Sequence, residues 1–145
     1  MRLGIVSGYF NPLHAGHIEY INSAKKHSDK LVCIINSDQQ VALKGSQPFM
    51  DEQHRANILR NLRSIDDVLI SIDKDGTQCE SLRDLRSKYP DDDLIFFNSG
   101  DRKGENLNMS ESDTCKEIGI EVQILDLPKI HSSSELLKKT RGSGN

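Results

Sequence analysis

The sequence predicts an α/β fold, a doubly wound five-stranded parallel sheet with helices on both faces. Five short apolar runs of strand length, rich in Ile, Val and Leu, alternate with segments whose apolar residues recur at helical spacing. Strand–helix–strand alternation with connections of this length implies right-handed crossovers, and therefore parallel strands covered by helices. The predicted strands are Leu3–Val6, Leu31–Ile35, Val68–Ile72, Leu94–Phe97 and Val122–Leu125.

Each segment between these strands has one apolar stripe, which predicts a helix packed on the sheet. In the last helix we expect Ser110 at the N-cap, Asp113 in the first turn and Gly119 just past the C-terminal end. The stripes are Ile18, Ile21 and Ala24, then Ala56, Leu59 and Leu62, then Cys79, Leu82 and Leu85, and finally Cys115 and Ile118.

Length and charge narrow the possible functions. The 145 residues have room for one domain, predicted over residues 1–140, and residues 141–145, "RGSGN", have the composition of a loose tail. The formal net charge of -3 gives no basic field for binding a nucleic acid polymer. No apolar run approaches the roughly 20 residues of a membrane span, and there is no cleavable signal pattern. We therefore expect a cytoplasmic protein without a nucleic acid or membrane partner.

The cysteines do not indicate a metal site. Cys33, Cys79 and Cys115 are odd in number and far apart, with no C-x-x-C pair. We expect them to be reduced and mostly buried, with no zinc.

The loops that follow strands are the expected functional loops, because open parallel sheets bind ligands beyond the carboxyl ends of their strands. Four of these loops are rich in polar, basic and small residues, whereas the fifth, "DKDGTQ", is expected to be a connector. The four are "GYFNPLHAGH", "NSDQQVALKGSQP", "NSGDRKGEN" and "LPKIHSSS".

The first of these loops has the features of a phosphate site. Gly16 lets the backbone approach a ligand closely, the helix that follows has free N–H groups, and His14 and His17 supply two imidazoles. An alternative is that the histidines are only polar loop and cap residues. Metal binding is a further alternative, although neither cysteine nor paired carboxylates lie beside them.

At these residues the chain resembles the cytidylyltransferase-like nucleotidyltransferase superfamily, whose pattern is G-[TS]-F-[DN]-x-x-H-x-G-H. The segments "INSDQQVALKG" with Pro48, "DEQHRANILRNLRSIDDV" and "IHSSSELLKK" are similar, in that order, to glycerol-3-phosphate cytidylyltransferases and heptose 1-phosphate adenylyltransferases. The resemblance runs from about Arg2 to Lys139 and implies a Rossmann-like fold.

This resemblance implies transfer of a CMP or AMP group from CTP or ATP to the phosphate of a small phosphorylated sugar or polyol, with release of pyrophosphate. Mg²⁺ would come with the triphosphate, and family members often form homodimers. The implied catalytic residues are His14, His17, Lys44 and Arg63. The implied nucleotide-binding residues are Gly8, Tyr9, Phe10, Asn11, Gly16, Asp101, Ser132, Ser133 and Ser134, and the acceptor would meet Asp38 and Arg55.

Several of these residues also have simpler interpretations. Lys44 suits an exposed, solvated lysine, and the three serines suit helix caps. Arg55 and Arg63, eight residues apart, are about 80° apart on one helix and could clamp a phosphate together. Alternatively, they could form surface salt bridges with Glu52, Asp66 and Asp67.

Some departures from the family pattern leave the identity of the substrate open. Two other functions also have to be considered. Tyr9 replaces the usual small hydroxyl residue, and "LPK" lacks the arginine typical of glycerol-3-phosphate enzymes. A dinucleotide-dependent oxidoreductase would need G-x-G-x-x-G after the first strand, and the chain does not have it there. The other rival is a catalytically silent nucleotide-binding or regulatory module of the same fold.

Overall fold

The computed structural model describes residues 1–99 and 109–127 and confirms the doubly wound α/β prediction. The strands are β1 (Arg2–Gly8), β2 (Lys30–Ile35), β3 (Asp67–Ile70), β4 (Asp93–Ser99) and β5 (Glu121–Leu125). The helices are α1 (Ala15–Lys26), α2 (Asp38–Leu43), α3 (Glu52–Arg60), α4 (Cys79–Lys88) and α5 (Met109–Ile118). All strand pairs are parallel, in the order β3-β2-β1-β4-β5.

Helices cover both faces of this sheet. On one face, Ile21 and Ala24 of α1 and Leu59 of α3 join a buried cluster with alternate residues of β1 and β2. On the other face, Leu82 of α4 and Cys115 of α5 join a second cluster. Since successive strand residues point to opposite faces, strands buried on both sides must be apolar at nearly every position. Strand β2 meets this requirement, with Leu31 to Ile35 all fully buried.

Helix α2 was not predicted, because we interpreted residues 36–48 as a loop. Its N-terminus is fixed by a capping box, in which the Ser37 hydroxyl accepts from the Gln40 N–H at 3.2 Å and the Gln40 side chain accepts from the Ser37 N–H at 3.0 Å. The Ser-x-x-Gln spacing is a known sequence signature of this motif. The helix reduces the connection to α3 to residues 44–51.

Two predicted helix boundaries need correction. Helix α5 begins at Met109, so Ser110 lies inside its first turn and not at the N-cap. Helix α3 ends at Arg60 with Asn61 as its C-cap, so Arg63 lies in the following turn. The prediction that Arg55 and Arg63 share one helix is therefore wrong.

Gly119 terminates α5 as predicted. It has a φ of 79°, and the Ile120 N–H donates to the Cys115 carbonyl at 2.8 Å, the 6→1 bond of a Schellman motif. A Cβ at Gly119 would meet nothing within 4 Å, so only the backbone conformation requires glycine there.

We predict that Gly119→Ala lowers the free energy of unfolding by about 1–2 kcal/mol, the cost of a left-handed conformation for an L-residue. Gly76→Ala is the matched control, since its Cβ would also meet nothing within 4 Å and Gly76 lies outside the left-handed region. That change is expected to be neutral or slightly stabilising. Urea unfolding measures both variants, and equal losses would contradict the account.

Candidate active site

The loop after β1 lies at the switch point of the sheet. Strand β1 pairs with β2 on one side and with β4 on the other, so the chain order reverses there. In sheets of this type the crevice beyond the strand ends at the switch point is the usual ligand site. Residues Tyr9 to His14 connect the last residue of β1, Gly8, to the first residue of α1, Ala15.

His14 and His17 cap the N-terminus of α1 reciprocally. The Nδ1 atom of His14 accepts a hydrogen bond from the Gly16 N–H at 3.1 Å, and Nδ1 of His17 accepts from the His14 N–H at 3.1 Å. The arrangement is a capping box built from two imidazoles. The structure thus shows both histidines in a cap role, which explains their spacing, while phosphate binding by them stays a prediction.

The two caps determine which ring nitrogen carries the proton. A backbone N–H can only donate, so the accepting Nδ1 of each ring is unprotonated and the proton of the neutral imidazole is on Nε2. The helix cap therefore uses only the Nδ1 atom of each ring. Capping and phosphate binding are compatible, because they use opposite nitrogens of the same rings.

The caps also revise the predicted contribution of the backbone. The Gly16 N–H donates to His14, and the His17 N–H donates to the His14 carbonyl at 3.0 Å. These groups were predicted to be free for an anion. The structure instead presents imidazole N–H groups at the start of the helix.

The rings of His14 and His17 stack on each other, and the Phe10 ring packs against His17. Their centroids are 3.8 Å apart at an interplanar angle of 25°, and the Phe10 ring meets His17 edge-on at 4.8 Å. Phe10 is buried and has a φ of 50°, an uncommon conformation for a residue other than glycine. A Cβ on Gly8 would lie 2.9 Å from Phe10 Cζ, so Gly8 leaves room for this ring. Gly8 and Phe10 were predicted to bind nucleotide. In the structure the Phe10 ring packs against His17, and Gly8 leaves room for that ring.

The neutral state of His14 is favoured in the folded protein. Burial lowers the pKa of His14 below its ordinary value of 6.5. A proton on Nδ1 would also face the Gly16 N–H. Protonation of both stacked rings would bring two positive charges to about 4 Å, a repulsion on the order of 4 kcal/mol at an effective dielectric constant of 20.

We predict that part of the stability depends on the neutral form of His14. Between its lowered folded pKa and 6.5, the unfolded chain binds more protons than the folded chain, so the free energy of unfolding should fall as the pH drops below about 6.5. His14→Asn keeps an N-cap without titrating, so its unfolding should depend less on pH in that window. Urea unfolding at several pH values tests this, with His27→Asn, at the other end of α1, as the control. If the free energy of unfolding of His14→Asn fell with pH as steeply as that of the unmodified protein, the link between stability and neutral His14 would be contradicted.

Arg55 connects the loops that surround this turn. Its side chain is fully buried, and Nη1 donates to the carbonyls of Tyr9 at 2.8 Å and Asn36 at 2.7 Å. Nε donates to the Met50 carbonyl at 3.0 Å, and Nη2 forms an ion pair with Asp38 at 2.8 Å. One guanidinium thereby joins the chain after β1, the chain after β2 and the chain before α3.

This network corrects both interpretations of Arg55. The guanidinium is buried and engaged, so it does not reach a bound phosphate in this arrangement. The proposed surface partners Glu52, Asp66 and Asp67 are also wrong, because the ion-pair partner is Asp38. Glu52 instead accepts from the Asp38 N–H at 2.9 Å. Asp38 was predicted to bind the acceptor, and its half-buried carboxylate here pairs with Arg55.

We predict that Arg55→Met destabilises the protein by about 3–5 kcal/mol, because it leaves the Asp38 carboxylate and three carbonyls without their donor. The matched control is Arg60→Met, an exposed position on the same helix, which should change the free energy of unfolding by less than about 0.5 kcal/mol. Thermal and urea unfolding measure both. A loss of similar size at the two positions would show that the buried network contributes nothing specific.

Asn11 and Tyr9 hold the loop that follows α2. The Asn11 amide donates to the Gln47 carbonyl at 3.1 Å and accepts from the Phe49 N–H at 2.6 Å. The ammonium of Lys44, the C-cap of α2, lies 4.3 Å from the centroid of the Tyr9 ring. Lys44 is thus brought beside the β1–α1 loop, as the prediction of a lysine near the triphosphate requires.

Arg63 lies in the turn between α3 and β3, and its predicted catalytic role stays a prediction. It precedes β3 and so lies at the amino-terminal edge of the sheet, whereas the β1–α1 turn lies at the carboxyl edge. The four residues of β3 alone separate these edges by about 13 Å. Arg63 lines a groove beside α1 with Ile18, Asn22 and Lys25. Asp101 and Ser132, Ser133 and Ser134 lie outside the described residues.

The loop after β3, residues 73–78, joins β3 to α4 and is held by several hydrogen bonds, while its expected role as a simple connector stays a prediction. Asp73 is buried and accepts from the backbone N–H groups of Glu80 at 2.7 Å and Ser81 at 2.9 Å, which caps α4. The Gln40 amide donates to the carbonyls of Asp75 at 2.8 Å and Thr77 at 2.9 Å. Gln40, which sequence reasoning missed, therefore caps α2 and anchors this loop. Its Ser-x-x-Gln signature was visible in the sequence.

The cysteines are free, with Cys33 and Cys115 buried. Burial raises the pKa of Cys115 to about 12, so this thiol stays protonated. Over the two described ranges, no helix is both long and apolar enough to span a membrane.

Comparisons with known proteins define the family. A sequence model of the family described as Cytidylyltransferase-like matches residues 5–138. The chain belongs to this cytidylyltransferase-like family, which confirms the resemblance drawn from its motifs.

Two curated relatives illustrate the range of the family. Over 143 residues the chain is 32% identical to "Bifunctional protein HldE" of Bradyrhizobium sp. (strain ORS 278), covering 97% of this chain and 27% of that protein. Over 128 residues it is 30% identical to FAD synthase of Pyrococcus horikoshii, covering 88% of this chain and 80% of that enzyme. The chain spans about a quarter of the length of the HldE protein.

Solved structures share the fold. A crystal structure of the lipopolysaccharide core biosynthesis protein from Thermoplasma volcanium GSS1 has a TM-score of 0.67 and 26% identity, covering 90% of this chain and 99% of that one. A bifunctional NMN adenylyltransferase/ADP ribose pyrophosphatase from Francisella tularensis, at 15% identity and a TM-score of 0.67, shows the fold alone.

Proposed function

We propose that the protein transfers a CMP or AMP group from CTP or ATP to the phosphate of a small phosphorylated sugar or polyol. The observation that supports this most directly is the reciprocal capping of α1 by His14 and His17, which fixes the orientation of both rings and places the proton of each neutral ring on Nε2. Two adjacent neutral donors at the switch point of the sheet suit the oxygens of a bound triphosphate.

The reaction needs positioned donors more than a base. An oxygen of the acceptor phosphate attacks the α-phosphorus, the bond from that phosphorus to the oxygen bridging to the β-phosphorus breaks, and pyrophosphate leaves with the electron pair. A phosphate monoester is already largely deprotonated at neutral pH, since its second pKa is about 6. The imidazoles therefore need not remove a proton. They donate hydrogen bonds to the phosphate oxygens as negative charge is redistributed.

Lys44 would add a mobile positive charge to this site. Its ammonium is exposed and lies beside the same loop, over Tyr9. We further propose that Asp101 and the serines Ser132, Ser133 and Ser134 contact the nucleotide, as the resemblance implies. In the same proposal, Gly16 and Asn11 shape the loop and do not bind phosphate through their own polar groups, which are already engaged.

Mg²⁺ would enter as part of the substrate, bound to the triphosphate. The donors of this turn are N–H groups, and neutral imidazoles whose Nδ1 atoms accept from the backbone present protons, not lone pairs, on Nε2. These N–H donors suit an anion and do not supply protein ligands for the metal ion. Magnesium commonly binds in this way, mainly through phosphate oxygens and water.

The name of one relative suggests which nucleotide donor to test first and leaves the acceptor open. FAD synthase is named for a product that contains AMP, so ATP is tested first and CTP second. In this proposal the transferase domain covers residues 1–140, and the protein acts in the cytoplasm as a homodimer.

We predict that purified protein with Mg²⁺, ATP or CTP and a phosphorylated acceptor releases pyrophosphate, and that His14→Asn and His17→Ala each lower kcat by about 10²–10³, the loss seen for one transition-state donor. The His14→Asn change keeps a helix cap, so the loss should occur without unfolding. His27→Ala at the other end of α1 is the matched control and should retain activity.

The same assay separates the alternatives. Activity that survives both site variants would show that the centre is misassigned. Triphosphate binding without pyrophosphate release, across a panel of phosphorylated sugars and polyols, would favour the catalytically silent module.

A further inference from the structure

Tyr9 departs from the family pattern at a position where its ring has a definite contact. The Lys44 ammonium lies 4.3 Å from the Tyr9 ring centroid, well within the roughly 6 Å range of a cation–π interaction. The small hydroxyl residue usual at this position could not provide such a contact. Tyr9 therefore has a partner that the family motif does not account for.

The Tyr9 backbone is fixed on both sides. Gly8 before it is the last residue of β1, and Phe10 after it is buried with a φ of 50°. The Tyr9 carbonyl accepts from Arg55 Nη1 at 2.8 Å. The ring thus projects from a segment that the sheet, the core and a buried guanidinium hold in place.

The Lys44 side chain, in contrast, projects from an exposed segment, and the backbone groups that Asn11 holds, at Gln47 and Phe49, lie further along the chain. It is the C-cap of α2, and residues 42–49 are all exposed. The next residue, Gly45, has a φ of 85°, and a Cβ there would meet nothing within 4 Å. An unrestrained lysine side chain loses rotamer freedom whenever it is ordered by a ligand.

We propose, on the basis of the proposed function, that Tyr9 is a positioning residue that holds the Lys44 ammonium beside the His14–His17 turn, where it meets the incoming triphosphate. A carboxylate could order the lysine equally well, but it would neutralise the charge. The face of an aromatic ring orders the ammonium and leaves its full charge available to the phosphates. Tyr9 would thus reduce the ordering cost of Lys44 on nucleotide binding.

The test is a double-mutant cycle on the affinity for a non-hydrolysable ATP or CTP analogue with Mg²⁺, measured by calorimetry. Tyr9→Leu should weaken binding by about 2–5-fold, the worth of an exposed cation–π contact, and Tyr9→Phe, which keeps the ring, should restore most of it. Lys44→Ala should weaken binding about 10-fold. Adding Tyr9→Leu to Lys44→Ala should then cost nothing further.

The chain contains a matched control for these changes. Lys30 lies 5.3 Å from the Tyr89 ring centroid, away from the site. Lys30→Ala and Tyr89→Leu make the same substitutions there and should leave the analogue affinity unchanged. NMR gives an independent readout, since the side-chain protons of Lys44 should show a ring-current shift that Tyr9→Phe retains and Tyr9→Leu removes.

The outcomes distinguish this inference from the proposed reaction. Additive losses from Tyr9→Leu and Lys44→Ala, or a Lys44 shift unaffected by Tyr9→Leu, would overturn the positioning role even if the enzyme turns over. The expected coupling without pyrophosphate release from any acceptor would support the positioning role and overturn the transfer reaction. Failure of the unmodified protein to bind the analogue would overturn both.

Discussion

The reciprocal hydrogen bonds between the histidine rings and the first turn of α1 are the constraint on which the rest of the site depends. Because each Nδ1 accepts from the backbone, each ring has a fixed orientation and a fixed tautomer before any ligand arrives. The same contacts that start the helix therefore prepare two N–H donors at the switch point of the sheet. Helix capping and the proposed function share these side chains, so a substitution that keeps the cap, such as asparagine, is needed to separate the two.

A second set of contacts holds the surrounding loops in place around that turn. Parallel strands deliver their carboxyl ends to one edge, but the loops that follow are far apart in sequence. Arg55 joins the loop after β1 to both ends of the connection between β2 and α3 through carbonyls and Asp38, and Asn11 holds the segment after α2. A buried arginine is costly unless its charge is paired and its donors are engaged, and here three carbonyls accept from Arg55 and the Asp38 carboxylate pairs with it. These contacts hold the loops around the exposed Lys44 in place before any ligand binds.

Most of the fold could be predicted from the sequence, because the patterns that indicate its strands and helices were local and strong. Five apolar runs, four helical stripes and Gly119 fixed the sheet, its layers and one helix end. The end of α3 was not predicted, since "NLRS" contains no glycine or proline breaker, and Arg63 was misplaced as a consequence. The role of Arg55 was hidden for a different reason. Its spacing of four from Leu59 placed it on the buried face, but its partners are backbone carbonyls, which no side-chain pattern reveals.

The tautomers of His14 and His17 provide the most direct test of the central claim. Long-range ¹H–¹⁵N correlation spectra of the protein at neutral pH report which ring nitrogen is protonated, with and without a bound Mg²⁺–triphosphate analogue. The account predicts protonated Nε2 and accepting Nδ1 on both rings in the free protein, and a change at the Nε2–H signals when the triphosphate binds. Protonated Nδ1 on either ring, or Nε2–H signals indifferent to the triphosphate, would contradict it.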